Sequence, residues 1–238
     1  YFMSKKNNGI FLYITLVFAV LLAKVLGLFR GILLSSAYGT GIEASAFTAV
    51  SNLPLILFDV TFGTAITSAF VPVFNEKLAS DNKDEANKFA SNFFNVILIF
   101  SMLVVLLGIL FPEVAVTLVA NGFKSQPETF TLAVSLIKLI MPIMTFACCT
   151  YIFIGILQSY GEFVAPALVS TFSNLFMIIY LLFFNKSLGV NGLACAFCLG
   201  WLCQFLFLIP FLHKKKFKYY FKIDFFNADI KKVALLTL

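Results

Sequence analysis

The sequence predicts an all-α fold: a polytopic membrane bundle with a six-helix lobe and the start of a seventh helix. Three observations predict it. Hydrophobic residues fill 61% of the 238 positions and charged residues only 12%, whereas a water-facing domain carries about 25% charged residues. Ile10–Leu34 holds two charged residues, and Ile97–Phe111 and Leu139–Leu157 hold none; a span of the hydrocarbon core needs about 20 mainly apolar residues. Lipid cannot satisfy backbone polar groups, which leaves helices or closed barrels, and these runs are too long and too continuously apolar for barrel strands.

The first span falls near 10–36. Lys5 and Lys6 precede it as the basic region of a signal peptide would, but the apolar run exceeds the ~7–15 residues of such a segment and carries Lys24 and Arg30. It is expected to remain as a span. Tyr38-Gly39-Thr40-Gly41 leads to a second span near 46–74, and Ser80-Asp81-Asn82-Lys83-Asp84 to a third near 90–119. Asn121-Gly122, Tyr160-Gly161 and Asn185-Lys186 then introduce spans near 129–158, 164–184 and 190–212. Gly, Asn, Asp and Ser cluster in these connections because they accept turn geometry. Residues 1–212 thus read as a transmembrane lobe, 213–227 as a basic and aromatic cytoplasmic linker, and 228–238 as the start of a truncated seventh helix. The chain reads as the first half of a longer protein, completed by a second lobe.

Lys and Arg are retained on the cytoplasmic side of a membrane. With the N-terminus inside, the inner segments hold twelve lysines, seven of them between Lys214 and Lys232, and the outer segments only Lys124 and Lys186. A bacterial cytoplasmic membrane with a cytoplasmic N-terminus is the expected setting. In the linker, lysines alternate with Phe217, Tyr219, Tyr220, Phe221, Phe225 and Phe226, which suits anionic headgroups and the interface. Membrane lipids are expected partners. Nucleic acid is not, since the segment directly follows a span.

All five cysteines (Cys148, Cys149, Cys195, Cys198, Cys203) lie in apolar runs. Cys195-Ala-Phe-Cys198 has metal or redox spacing, but no second pair follows and the one histidine is His213. They read as small packing residues, and neither metal, disulfide nor cofactor is expected. No carboxylate pair or nucleophile with a base occurs at usable spacing, so an enzyme is not expected.

Four charges fall inside spans: Lys24, Arg30, Asp59 and Lys138. A charge at bilayer depth costs about 2.5–3.5 kcal/mol or more, so it faces a partner or a watery cavity. At 1.5 Å per residue, Lys24 and Asp59 lie roughly 18 Å and 20 Å inward from the outer ends of the first two helices. The two helices are expected to form a hairpin, which sets the opposite charges at similar depth and predicts an ion pair between them. Arg30 and Lys138 lie about 9 Å and 14 Å inward, and Arg30 is also placed to snorkel to the interface. Three cations against one anion make a positive cavity that suits a pyrophosphate. Helix-break positions lie in the same spans: Gly27 and Gly31 in a G-x-x-x-G pattern that commonly means close packing, Pro54 before Asp59, and Pro142 after Lys138. Interrupted helices let transporters build a midplane site from freed backbone groups.

Several stretches together resemble the MurJ/MviN family of lipid II flippases, within the multidrug/oligosaccharidyl-lipid/polysaccharide exporter superfamily. Lys24-Val-Leu-Gly-Leu-Phe-Arg30 resembles R-x-L-G-x-x-R, Tyr38-Gly-Thr-Gly41 with Ala46-Phe47 resembles F-G-A-G…D-A-F, and Leu53-Pro54 resembles L-P-N. Ala69-Phe-Val-Pro72 matches A-F-V-P. Gly155-Ile-Leu-Gln-Ser-Tyr-Gly161 with Pro166 resembles G-I-L-N-S-x-G…P, and Gly200-Trp-Leu-Cys-Gln204 with Pro210-Phe-Leu212 resembles G-x-L-x-Q…P-F-L. Order and spacing hold over roughly residues 20–238. The resemblance implies two six-helix lobes around a cationic cavity that works by alternating access on a lipid-linked saccharide pyrophosphate. It places Lys24 and Arg30 where the family has two helix-1 arginines, and Lys138 at a basic position before the helix-4 proline. The chain departs from the pattern at Ser45 for an aspartate, Phe58-Asp59 for paired arginines, and Gly31 for an acid. A drug/cation or polysaccharide exporter of the same superfamily, and a non-transporting scaffold for envelope synthesis, are the alternative readings.

Overall fold

The computed structural model describes residues 2–80 and 82–237. Tyr1, Asp81 in the expected loop after the second span, and Leu238 lie outside them, as do the side chains of Lys5 and Lys6. Among the described residues, six segments are long and apolar enough to cross a membrane: Leu12–Tyr38, Ile42–Ala79, Lys83–Leu110, Pro127–Ser159, Val164–Phe183 and Asn185–Lys214. The fold is an all-α polytopic bundle.

Helix α1 (Phe2–Tyr38) runs unbroken through Gly27 and Gly31, where the sequence led us to expect a break. Glycine in a helix interior costs only about 1 kcal/mol, too little to interrupt a long apolar helix. The second span is the irregular one. It comprises α2 (Ile42–Ser51), α3 (Leu53–Phe58), π-helical turns at Asp59–Gly63 and Ala65–Phe70, and α4 (Val71–Ala79). Pro54 stands in the first turn of α3, where its missing N–H has no helical partner to lose. The Thr61 and Thr67 hydroxyls donate to the carbonyls of Leu57 and Gly63 at 2.6 and 2.9 Å, a bond that competes with the helical ladder.

Helix α5 (Lys83–Leu110) starts at Asn82, whose side chain accepts from the Glu85 N–H at 3.2 Å, a side-chain N-cap. It ends at Phe111, because a residue before proline is pushed out of the α region, and α6 (Pro112–Ala120) follows as a short separate helix. The single span expected near 90–119 is therefore shorter at that end. Met141-Pro142 separates α7 (Pro127–Ile140) from α8 (Ile143–Ser159). Helices α9 (Val164–Phe183) and α10 (Asn185–Lys214) complete the six spans. Gly189 (φ 57°, ψ −156°) kinks the start of α10, and the Tyr180 hydroxyl donates to its carbonyl at 2.6 Å.

The α7–α8 span is the centre of the bundle and the most buried, while α1 is peripheral. α2 packs on α7, α3 and α5 on α8, and α9 on α10, with α1 laid chiefly along α9. Gly200 lets α10 approach α9, since a Cβ there would stand 2.7 Å from Ser173 Cα. The first two spans are thus not a tight hairpin. The α7–α8 span takes the centre, and α1 lies outward against α9.

The linker after α10 is docked on the bundle. Buried Ser91, Asn92 and Asn95 on α5 bond to its backbone: Ser91 Oγ accepts from the Tyr220 N–H at 3.0 Å, and Asn95 Nδ2 donates to the Lys222 carbonyl at 2.9 Å. Helix α11 (Ala228–Thr237) then packs against residues 65–70 and is tied to α4 by Lys77–Asp229 (3.0 Å) and Lys232–Glu76 (2.6 Å).

Candidate functional site

The four intramembrane charges occupy different surroundings. Arg30 is half-buried against α9, and its guanidinium donates to Met177 Sδ at 3.9 Å. Lys24, six residues earlier on the same helix, is exposed; six residues of α-helix place the two side chains about 120° apart around the axis. Gly27 lies between them and faces Asn174 of α9, whose amide donates to the Ala23 carbonyl at 3.2 Å. The cations therefore flank the α1–α9 seam on opposite sides. Lys138 is exposed near the end of α7. Asp59 is exposed at the first π turn, with its carboxylate folded back over Gly63.

Among the described residues, no ion pair within 4.0 Å joins Lys24 to Asp59, and neither Arg30 nor Lys138 enters one. The expected Lys24–Asp59 pair assumed that adjacent spans pack side by side, and α1 packs on α9 instead. Among the described residues, none of the three cations has a carboxylate within 4.0 Å.

A cavity of about 690 Å³ is lined by none of the four charges. It opens between α1, α3, α8, α9 and α10, with Leu16 and Val20 on the α1 side. Gln158, Phe163 and Pro166 place it in the half of the lobe that carries the Tyr160-Gly161 turn. That turn is fixed by Gly161 (φ 73°), across which the Glu162 N–H donates to the Leu157 carbonyl at 2.9 Å, a glycine helix stop. Polar residues in the wall include the exposed Gln158 and Ser170 and the buried Thr150, Ser173, Trp201 and Gln204. Lys24 stands one turn beyond Val20, about 6 Å along α1. Arg30, Lys24 and Lys138, expected to converge on one cavity open towards a second lobe, are not among the residues that line this one: Lys24 and Lys138 are exposed and Arg30 is half-buried.

The family profile described as "Lipid II flippase MurJ" matches residues 34–238, most of the chain. The chain belongs to the MurJ family. A MurJ from Thermosipho africanus is 31% identical over 205 residues, 86% of this chain and 41% of that protein. A probable MurJ from Buchnera aphidicola (Acyrthosiphon pisum) is 28% identical over 196 residues, 82% of this chain and 38% of that protein. The chain spans about two fifths of the length of these curated relatives. A solved structure of MurJ in an inward closed conformation superimposes with TM-score 0.75 at 29% identity, covering 94% of this chain and 47% of that one. A MOP-superfamily transporter from Pyrococcus furiosus matches with TM-score 0.65 at 15% identity, over 94% of this chain and 50% of that one, a likeness of fold alone.

Against the MurJ pattern, two groups of polar residues were missed at the level of sequence. Ser91, Asn92 and Asn95 recur at helical spacing within α5, so one buried polar stripe was there to be read. Thr150, Ser173 and Gln204 come from three helices, and no spacing in a single helix brings them together. Lys24-Val-Leu-Gly-Leu-Phe-Arg30, read as one cluster, is divided by the MurJ lobe between two sides of α1.

Proposed function

We propose that this lobe is part of a flippase that moves an anionic lipid-linked saccharide, of the lipid II type, across a bacterial cytoplasmic membrane by alternating access. Membership of the MurJ family supports the class of activity. The observation that carries the choice of substrate is that Lys24, Arg30 and Lys138 sit on membrane-spanning helices with no ion pair among the described residues. Cations in such positions are tolerated where they are hydrated or meet an anionic group. A pyrophosphate supplies that group, and a second lobe of the same polypeptide supplies the facing wall. Arg30 is the residue of choice for holding a phosphate, because its planar fork binds two oxygens at once while a lysine acts as a point charge. The twelve-to-two bias of lysines supports a cytoplasmic N-terminus.

The test is growth of cells depleted of their own flippase and supplied with the full-length protein. Arg30→Ala is expected to abolish growth with membrane expression intact, and Arg30→Lys to impair it despite the retained charge. Normal growth from Arg30→Ala would reduce Arg30 to an anchor at the interface. A second reading, an exporter of cationic compounds, is favoured by Asp59, an exposed acid without an ion pair among the described residues. It predicts that Asp59→Asn, rather than Arg30→Ala, abolishes activity.

A further inference from the structure

Another cavity, of about 320 Å³, lies where α4, α5, the linker and α11 meet, at the end of the lobe that the lysine bias assigns to the cytoplasm. This one is charged. Lys77, Lys88 and Lys222 line it together with Glu85 and Asp229. Lys77 and Asp229 neutralise one another in an ion pair of 3.0 Å. Lys222 lies 3.6 Å from Asp224 in a pair open to water, and such pairs hold only weakly. Among the described residues, neither Lys88 nor Glu85 has an ion-pair partner within 4.0 Å; Lys88 Nζ rests 5.7 Å from the centre of the Tyr220 ring. Both side chains are exposed, as is Lys222, so their charged ends are open to a ligand. The cavity thus offers two ammonium groups, one from α5 and one from the linker, and one carboxylate. A purely anionic group would be set against Glu85, and a purely cationic one against the lysines. A zwitterion satisfies both signs, with a phosphate on the lysines and an ammonium on the carboxylate.

The same face of α5 points to the rest of the ligand. Asn92 is the last α5 residue in the wall, and Ile99 and Leu103 follow it at helical spacing, each within about 20° of it around the axis. They are 40% and 53% exposed on a membrane-spanning helix. The polar cavity therefore continues, along one helix face, into an apolar strip open to lipid. In the linker, Phe221 and Phe226 are 82% and 81% exposed next to Lys222 and Asn227 of the wall, and exposed aromatic rings mark the level of the membrane interface. A soluble zwitterion would leave the apolar strip unused.

We propose that this cavity binds the headgroup of a zwitterionic phospholipid with a primary ammonium, of the phosphatidylethanolamine type, in the cytoplasmic leaflet. Its phosphate lies between Lys88 and Lys222, its ammonium donates to Glu85, and an acyl chain runs along Ile99 and Leu103. The lipid bridges α5 and the linker that leads into α11. This assignment does not depend on what the protein transports.

The test places the full-length protein in nanodiscs of equal parts phosphatidylethanolamine, phosphatidylglycerol and phosphatidylcholine, and identifies the lipid retained on release by native mass spectrometry. Phosphatidylethanolamine is expected to be retained about tenfold over the other two, the effect of one charge-assisted hydrogen bond. Phosphatidylglycerol lacks the ammonium, and phosphatidylcholine carries methyl groups in place of the N–H donors. Glu85→Gln is expected to remove the preference, and Lys88→Gln to lower retention of phosphatidylethanolamine by a similar factor. Both side chains are exposed and outside any ion pair of the described residues, so neither change disturbs the packing of the lobe. Equal retention of the three lipids reduces the cavity to ordinary lipid-facing surface and overturns the site. A preference for phosphatidylglycerol replaces the zwitterion with an anionic headgroup, and overturns it too. So does either variant that retains lipid as the parent does.

Discussion

Asn92 and Asp224 exchange two hydrogen bonds: Asn92 Nδ2 donates to the Asp224 carbonyl at 2.9 Å, and the Asp224 N–H donates to Asn92 Oδ1 at 2.7 Å. The buried amide thus stands in for a strand neighbour and satisfies an extended backbone that has no sheet to join. Each such bond contributes about 0.5–1.5 kcal/mol net. Asn92→Leu is expected to release the linker, speeding hydrogen exchange at the Asp224 amide roughly tenfold or more, since about 1.4 kcal/mol is a factor of ten. Unchanged exchange would mean that the neighbouring Ser91 and Asn95 contacts hold the segment alone.

The Thr150 hydroxyl is buried and unpaired. Thr150→Val should therefore raise thermal stability in detergent, by about 1 kcal/mol, because a group that loses water without a partner is a net cost. Followed by thermal unfolding, a destabilised Thr150→Val would show that the hydroxyl has a partner in the folded protein.

Glycines in this lobe are not equivalent. Gly200→Ala puts a Cβ 2.7 Å from Ser173 Cα, and forcing α9 and α10 apart is expected to cost about 1–3 kcal/mol. Gly31→Ala meets nothing within 4 Å and should be neutral or stabilising by about 0.5–1 kcal/mol, the helix preference of Ala over Gly. Thermal unfolding of the two variants side by side checks the contrast, and equal effects would contradict the packing of α9 on α10.

Sidedness follows from the lysines. Single cysteines at Ser125 and Lys218, both exposed, are to be placed in a background with the five native cysteines replaced. In intact cells an impermeant maleimide should label Ser125→Cys and spare Lys218→Cys. The reverse pattern would invert the membrane orientation.

Apolar run length made the six spans legible, and turn residues located most of their ends. Phe111 shows the limit: Pro112 was visible, but whether the chain continued as one span depended on where α6 found a surface to cover. The pairing of Lys24 with Asp59 failed for a related reason. Depth along a helix is written in the sequence, and the identity of the neighbouring helix is not. Arg30 was recognisable as an intramembrane cation, yet its contact with Met177 depends on α9, 147 residues away. The neutral cavity is harder still, because Thr150, Ser173 and Gln204 look like ordinary small polar residues until three helices meet.

The π turns between Asp59 and Phe70 have a consequence for how the second span can be edited. An i→i+5 turn holds more residues than an α turn spanning the same number of hydrogen-bond steps, so this stretch already contains surplus chain. Deleting Thr64 at the junction would let the ladder close as ordinary α-helix and keep both ends of the span near their present phase. The same deletion within the regular part of α5 would swing every later side chain by about 100°. Length variation in the second span is thus the kind this fold can absorb, with the change of phase confined to the face that presents Asp59.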